Sequence, residues 1–323
     1  MAQQTAWGWK KVVLAIVGVA AAMVLLLAAT AAVGLVWATS TAERLGEPVP
    51  EPVASTVATR DAGVRAAAAA NAEHPLRVEI ELEEGEFEVR PGPPGTGVQV
   101  DGAYARAYYE LTEEHTLAGE PGGPATVIRL RPAHSFLVRL IGSAFGGHDG
   151  AHNALTVTIP RETPIDLRLR LRMGETRTDL GGLILTDLDA DLTMGEHRLD
   201  FSQPLAGRPH RIRVAGGMGE VRLERFGNAG PRELDVEGRM GSLTVDLGGD
   251  WPAGAEADVW LDGSMGEFRL DVPNTVRIAP DSAVSNVFGA TSQPRAGNDA
   301  SADAPLVRLH LTNAMGETRV RRY

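Results

Sequence analysis

The chain of 323 residues has no cysteine, two lysines and few aromatics, 5% of the total. Without cysteine there is no disulfide, no thiolate-bound zinc, no cysteine nucleophile and no lipid-modified N-terminal cysteine. The lysines are Lys10 and Lys11 and the other 29 basic residues are arginine, so beyond residue 11 the balance is 42 acidic against 29 basic groups, or −13. Such a surface does not displace counterions from a phosphate backbone, which excludes nucleic acid as a partner. Scarce aromatics beside 37 glycines point to a thin-cored, turn-dense β architecture rather than a helical bundle. Hydrophobic residues at 43% still suffice for a packed core and exclude wholesale disorder.

Charge is also absent from Val12 to Ala38, where Thr30 is the only hydroxyl. A run of about 20 apolar residues crosses a bilayer, so residues 12–38 are expected to form a transmembrane helix, being too long for the core of a cleaved signal peptide. Lys10 and Lys11 precede it while Glu43 and Arg44 cancel after it, which places residues 1–11 in the cytoplasm and the rest outside. Trp7, Trp9 and Trp37 sit at its two ends, where indoles prefer the headgroup layer. Residues 39–75, with Pro48, Pro50, Pro52 and the run Ala66–Ala70, read as a semi-rigid stalk with a short helix before Pro75.

Met-Gly recurs at Met173, Met194, Met218, Met240, Met265 and Met315, and Phe288-Gly289 falls near the middle of the last, doubled interval as a degenerate seventh copy. Most units are an alternating strand, a Met-Gly corner, a second alternating strand and a turn. The apolar sets include Ile165, Leu167, Leu169 and Leu171 before a corner, and Leu243, Val245 and Leu247 after one. Units this short bury an apolar face only by stacking, so the fold class is all-β: over 161–323, a solenoid of the parallel β-helix type built from repeats of about 21–25 residues. The methionines are expected as flexible core filler at the corners. Residues 76–160 hold further strand patterns, among them Phe136–Leu140, and are expected as a cap of antiparallel strands or irregular rungs.

After the corner the outward pattern is Glu-x-Arg-x-Asp, with Glu175, Arg177, Glu196, Arg198, Glu220, Arg222, Glu267 and Arg269 as the candidate interaction surface. Stacking would set Glu over Glu beside a column of Arg that compensates diagonally. Other chemistry is not supported. His148-Asp149-x-x-His152 lies in glycine-rich sequence, and Asp187, Asp189 and Asp191 start like a calcium loop but lack its glycine and final glutamate. No catalytic, cofactor or metal residue is therefore assigned.

The run Leu155-Thr-Val-Thr-Ile-Pro160, followed by Ile165-Asp-Leu and the repeated Gly-Glu-x-Arg, resembles the toast-rack domains of bacterial envelope proteins, such as the C-terminal domains of LiaF-type proteins and related adhesin-like proteins. Phe226-Gly-Asn-Ala229 and Asn286-Val-Phe-Gly289 are similar to it too, and the likeness spans residues 76–323. It implies a non-catalytic, membrane-tethered module of envelope stress sensing or surface interaction, although LiaF-type proteins have several membrane spans against one here. Expected partners are the bilayer through 12–38, an envelope protein or cell-wall polymer, and a second copy. The alternative is a carbohydrate-active β-helix enzyme such as a polysaccharide lyase.

Overall fold

The computed structural model describes residues 23, 28–45, 49–117, 123–135, 137, 138, 140, 141, 153–292, 301 and 303–323. In chain order its elements from residue 51 onward are β1 (Glu51–Ala54), α1 (Val57–Ala69), β2 (Leu76–Pro91), β3 (Gln99–Tyr104), β4 (Tyr109–Thr116), β5 (Ala125–Pro132), β6 (Ala154–Ile159), β7 (Pro164–Asp179), β8 (Ile184–Asp200), β9 (Arg211–Glu224), β10 (Glu233–Asp246), β11 (Glu256–Val272), β12 (Arg277–Ile278), β13 (Ala283–Phe288), β14 (Thr291–Ser292) and β15 (Leu306–Arg322). Seven long strands dominate: β2, β7, β8, β9, β10, β11 and β15 pair in parallel, each with the next. Their register sets Gly85, Gly174, Gly195, Gly219, Gly241, Gly266 and Gly316 in one file. The sequence repeat thus becomes a spatial repeat of one strand spacing, about 4.8 Å.

Each long strand bends at this glycine, and the burial pattern shows how. In β8 the inward side chains are Leu188, Ala190 and Leu192 before the bend, then His197 and Leu199 after it. The inward positions change parity, so the bend takes up one extra residue. The six Met-Gly glycines provide it at φ between +119° and +130°. The same slip turns the preceding methionine outward. Met173, Met194, Met218, Met240, Met265 and Met315 are 39% to 50% exposed, in single file along the outside of the bend, which corrects their expected place in the core.

Inside the bend, side-chain volumes trade across each strand. Leu171 and Leu192 are followed at the facing position by Thr176 and His197, whereas Gly216, Gly238 and Gly263 leave room for Val221, Leu243 and Phe268. A Cβ on Gly238 would lie 2.9 Å from Leu243 Cδ2. In β15 the pair is polar, with Asn313 Nδ2 donating to Thr318 Oγ1 at 3.1 Å. Two facing halves of one strand must fill a fixed gap at interior density, so a large residue on one side requires a small one opposite. The Phe226–Asn228 turn is structural as well: Phe226 meets Phe201 edge-on at 5.0 Å, and Asn228 donates to the Phe201 carbonyl while accepting from Asp250 N.

The stack starts earlier than the sequence pattern indicates. β2 pairs with β7 along both halves, with Glu84 in the methionine file, where it accepts from the Tyr109 hydroxyl at 2.7 Å. The first half of β2 also pairs with β5, which continues antiparallel to β4, and its second half pairs with β6, which continues through β3 to β1. Helix α1, capped by Thr56 accepting from Thr59 N, buries Ala66 and Ala67 at this end. Residues 51–69, expected within a stalk with a short helix before Pro75, contribute the strand β1 and the helix α1 to this body, and the strands expected as a cap include one full member of the stack.

At the other end the chain order is permuted. β11 pairs directly with β15, and the degenerate copy lies beyond it, with Phe288 opposite Met315. The seventh copy exists, but outside the sixth rather than before it in space.

The chain divides into two compact units, this body, comprising 50–132 and 152–323, and a second made of 1–49 and 133–151. In the second unit residues 28–45 are helical, with Val33, Val36 and Trp37 exposed and Ala38 and Ala42 buried. Residues 137, 138, 140 and 141 are helical too, which corrects the strand expected over Phe136–Leu140. Among the described residues no helix is long and apolar enough to cross a membrane. Most of the expected span lies outside them, at 12–22 and 24–27, as do His148 and His152.

Candidate functional site

The outer faces of the two strand halves follow different charge rules. Before the bend the sign mostly alternates from strand to strand: Glu79 and Glu81 in β2 face Arg168 and Arg170 in β7, these face Asp189 and Asp191 in β8, and Asp189 is followed in register by Arg213 in β9 and Asp235 in β10; the exceptions are Asp166 facing Asp187, and Glu233 and Glu237 facing Asp258 and Asp262 of β11. Cross-strand ion pairs follow, such as Arg170 with Glu81 at 2.8 Å, Arg211 with Asp235 at 2.8 Å and Arg213 with Glu237 at 3.1 Å. Burial opposes ionisation of Glu81, yet hydrogen bonds from Arg131 and Arg170 hold its carboxyl down to about 2. Asp187, Asp189 and Asp191 belong to this face and lie along extended strand, so they do not wrap a cation.

After the bend the sign repeats instead. Glu175, Glu196 and Glu220 stack in one column and Arg177, Arg198 and Arg222 in the next, and all six line one open polar cleft of about 480 Å³. Glu267 and Arg269 share the face but stand beyond β10, where Ser242 and Thr244 replace the charges. The pairs form mostly within a strand, not diagonally: Arg177 with Glu175, and Arg222 with Glu220 at 2.7 Å. Arg198 is the diagonal case, reaching Glu224 of the next strand at 2.5 Å, so that among the described residues it does not pair with Glu196 of its own strand. At the β2 end Glu86 extends the glutamate column and Glu88 ends the arginine column with the opposite sign; with Glu175 and Arg177 they border a second open groove of about 1090 Å³. Sequence reasoning missed both glutamates because Glu84 hides the Met-Gly signal. Among the described residues no group of three acidic, histidine or cysteine side chains is placed to hold a metal ion.

Beneath the cleft, on the core side of the same strands, lies His197, 3% exposed. A 2.9 Å hydrogen bond links its Nδ1 to Thr176 Oγ1. Its Nε2 has no hydrogen-bond partner among the described residues. Burial lowers its pKa to about 4, the Met194 backbone carbonyl drawing it only weakly back. The sign of the consequence is definite. The unfolded chain takes up this proton below the ordinary value of 6.5 and the native state does not until about 4, so stability falls as pH drops through that window, by up to about 3 kcal/mol. His197→Asn, which keeps a hydrogen-bonding group near the Nδ1 position but cannot titrate, is expected to flatten this dependence. Urea midpoints at neutral and acidic pH check it, and an unchanged pH slope in the variant refutes the assignment.

The stacked, bent and in-register strands define a toast-rack fold. The family described as the N-terminal domain of toast_rack, DUF2154, matches residues 57–224, more than half of the chain, and the chain belongs to that family. A crystal structure of a candidate cell adhesion protein from Clostridium sporogenes is similar over 85% of this chain and 100% of its own, at 11% identity and a TM-score of 0.46. No curated protein matches the chain.

Proposed function

We propose that the protein is a single-pass, membrane-anchored envelope module that binds without catalysis and presents its post-bend face to a cell-wall polymer carrying charges of both signs. The observation that carries this reading is the contrast between the two faces. Where columns alternate, as from β2 to β10 through Glu79, Arg168, Asp189, Arg213 and Asp235, they satisfy themselves from strand to strand, whereas columns of like charge repel along the stack and are relieved by a ligand that lays anions over arginines and cations over glutamates. Peptidoglycan, with carboxylates and amines on its peptide stems, has that chemistry. The open cleft and the pairing of Glu175 and Glu220 with arginine favour a binding face over the isolated acid and base of a lyase. The uncharged run 12–38 with Lys10 and Lys11 before it supports an anchor with the body outside, where a sensor of envelope stress would stand.

Two readouts test it together. Protease added to intact cells is expected to remove a tag placed after Tyr323. Purified protein is expected to cosediment with peptidoglycan at low salt and be released by high salt, because exposed ion pairs are screened. Each single Arg→Ser change at 177, 198 or 222 should weaken binding only about two- to fivefold, consistent with about 0–1 kcal/mol per exposed pair. The triple change should weaken it at least tenfold. Binding untouched by the triple change, capture by a protein alone, or release of soluble sugars would each overturn the proposal.

A further inference from the structure

The outermost strand at the C-terminal end of the stack differs from all those inside it. Residues 282–292, Ser-Ala-Val-Ser-Asn-Val-Phe-Gly-Ala-Thr-Ser, carry no charge, whereas every long strand bears charges on the outer face of both halves. β13 pairs with β15 on one side and, among the described residues, with nothing on the other. An open strand edge is normally blunted by charge, proline or a bulge. Ala283–Phe288 has none of these, and its Val287 is 61% exposed. Asn286 adds an independent sign. Its Nδ2 donates inward to the Gly316 carbonyl at 3.0 Å, while its buried Oδ1 has no donor among the described residues. One more strand along the edge can supply that donor.

The opposite end of the stack is closed. There β2 is covered on both halves by other strands, and the outermost of these, β1 and β4, carry Glu51, Pro52, Glu110, Glu113 and Glu114. Head-to-tail growth is therefore blocked, and only like ends can meet.

We propose that the β13 edge pairs antiparallel with β13 of a second copy, joining two stacks tail to tail about a two-fold axis. A second copy fits better than a foreign strand because an uncharged edge set against itself brings no like charges opposite each other, and isologous pairing closes on itself. Keeping the two core faces continuous requires outward residues to face outward residues. The central register then sets Ser285 opposite Ser285 and Ala283 opposite Val287.

The chain has no cysteine, so Ser285→Cys introduces a single thiol. In the full-length protein in detergent micelles, mild oxidation is expected to give a disulfide-linked dimer for Ser285→Cys and none for Glu114→Cys at the closed end. Light scattering is expected to show twice the 34.2 kDa chain mass for the unmodified protein. The double variant Ser285→Lys, Val287→Lys, with an unchanged melting temperature, should associate at least tenfold more weakly. A one-chain mass for the unmodified protein, a dimer indifferent to the two lysines, or equal crosslinking at position 114 would overturn the proposal. Dimerisation through the N-terminal segment gives the second of these outcomes, so the two modes are told apart.

Discussion

Replacing Gly219 by alanine is expected to destabilise the protein by about 3 kcal/mol or more, among the largest effects of any single methyl group in the chain. Two causes combine. Gly219 has φ +127°, a conformation that L side chains rarely adopt, and its Cβ would stand 2.1 Å from the carbonyl oxygen of Gly195 on the next strand. That oxygen is backbone held in a parallel ladder, so it cannot move aside without breaking the pairing of β8 with β9. The Gly219 carbonyl in turn occupies the space that a Cβ on Gly241 would need, 2.0 Å away. Strain at one bend is thus passed to its neighbours. Gly207→Ala is the control, since its Cβ would meet only Ile184 Cγ2 at 3.7 Å, and it should stay within about 0.5 kcal/mol of the parent. Urea unfolding of the three proteins decides the matter. A Gly219→Ala midpoint equal to that of Gly207→Ala would show that the bend is not held by the glycine file.

The second large effect belongs to Val245→Asp. Val245 is fully buried and in register with Leu223 of β9 and Leu270 of β11, so a carboxylate there enters a core shared by three strands. The expected loss is about 4 kcal/mol or more, since an unpaired buried carboxylate either pays its desolvation or protonates. The loss should therefore be smaller in acid than at neutral pH. Because each strand packs only against its neighbours, hydrogen-exchange protection should fall first at Leu223 and Leu270 and last in β2. The adjacent Thr244→Arg points outward, restores the arginine that Arg222 and Arg269 provide on either side, and should change stability by less than about 0.5 kcal/mol. If the two variants melted alike, the inward and outward faces of β10 would be reversed.

Much of this architecture follows from short-range pattern alone. Apolar alternation separates Leu243 and Val245 from Thr244 wherever the strand lies, and the recurrence of Met-Gly marks each bend, because side-chain direction along a strand is a local property. For the same reason the charged columns through Glu175, Arg177, Glu196, Arg198, Glu220 and Arg222 were legible before any fold. Alternation does not report which strand lies next to which. That is a long-range choice, and it sets β15 against β11 while pushing Phe288 to the rim. The two charge rules likewise emerge only in register, when Arg211 and Arg213 fall beside Glu233 and Asp235 while Arg177, Arg198 and Arg222 fall in file. Nor does alternation survive the bend, where one extra residue reverses parity and turns six methionines from expected core to surface. Glu84 conceals the first bend for a related reason: it occupies the methionine position before its glycine and accepts from Tyr109, a long-range contact that no local repeat reports.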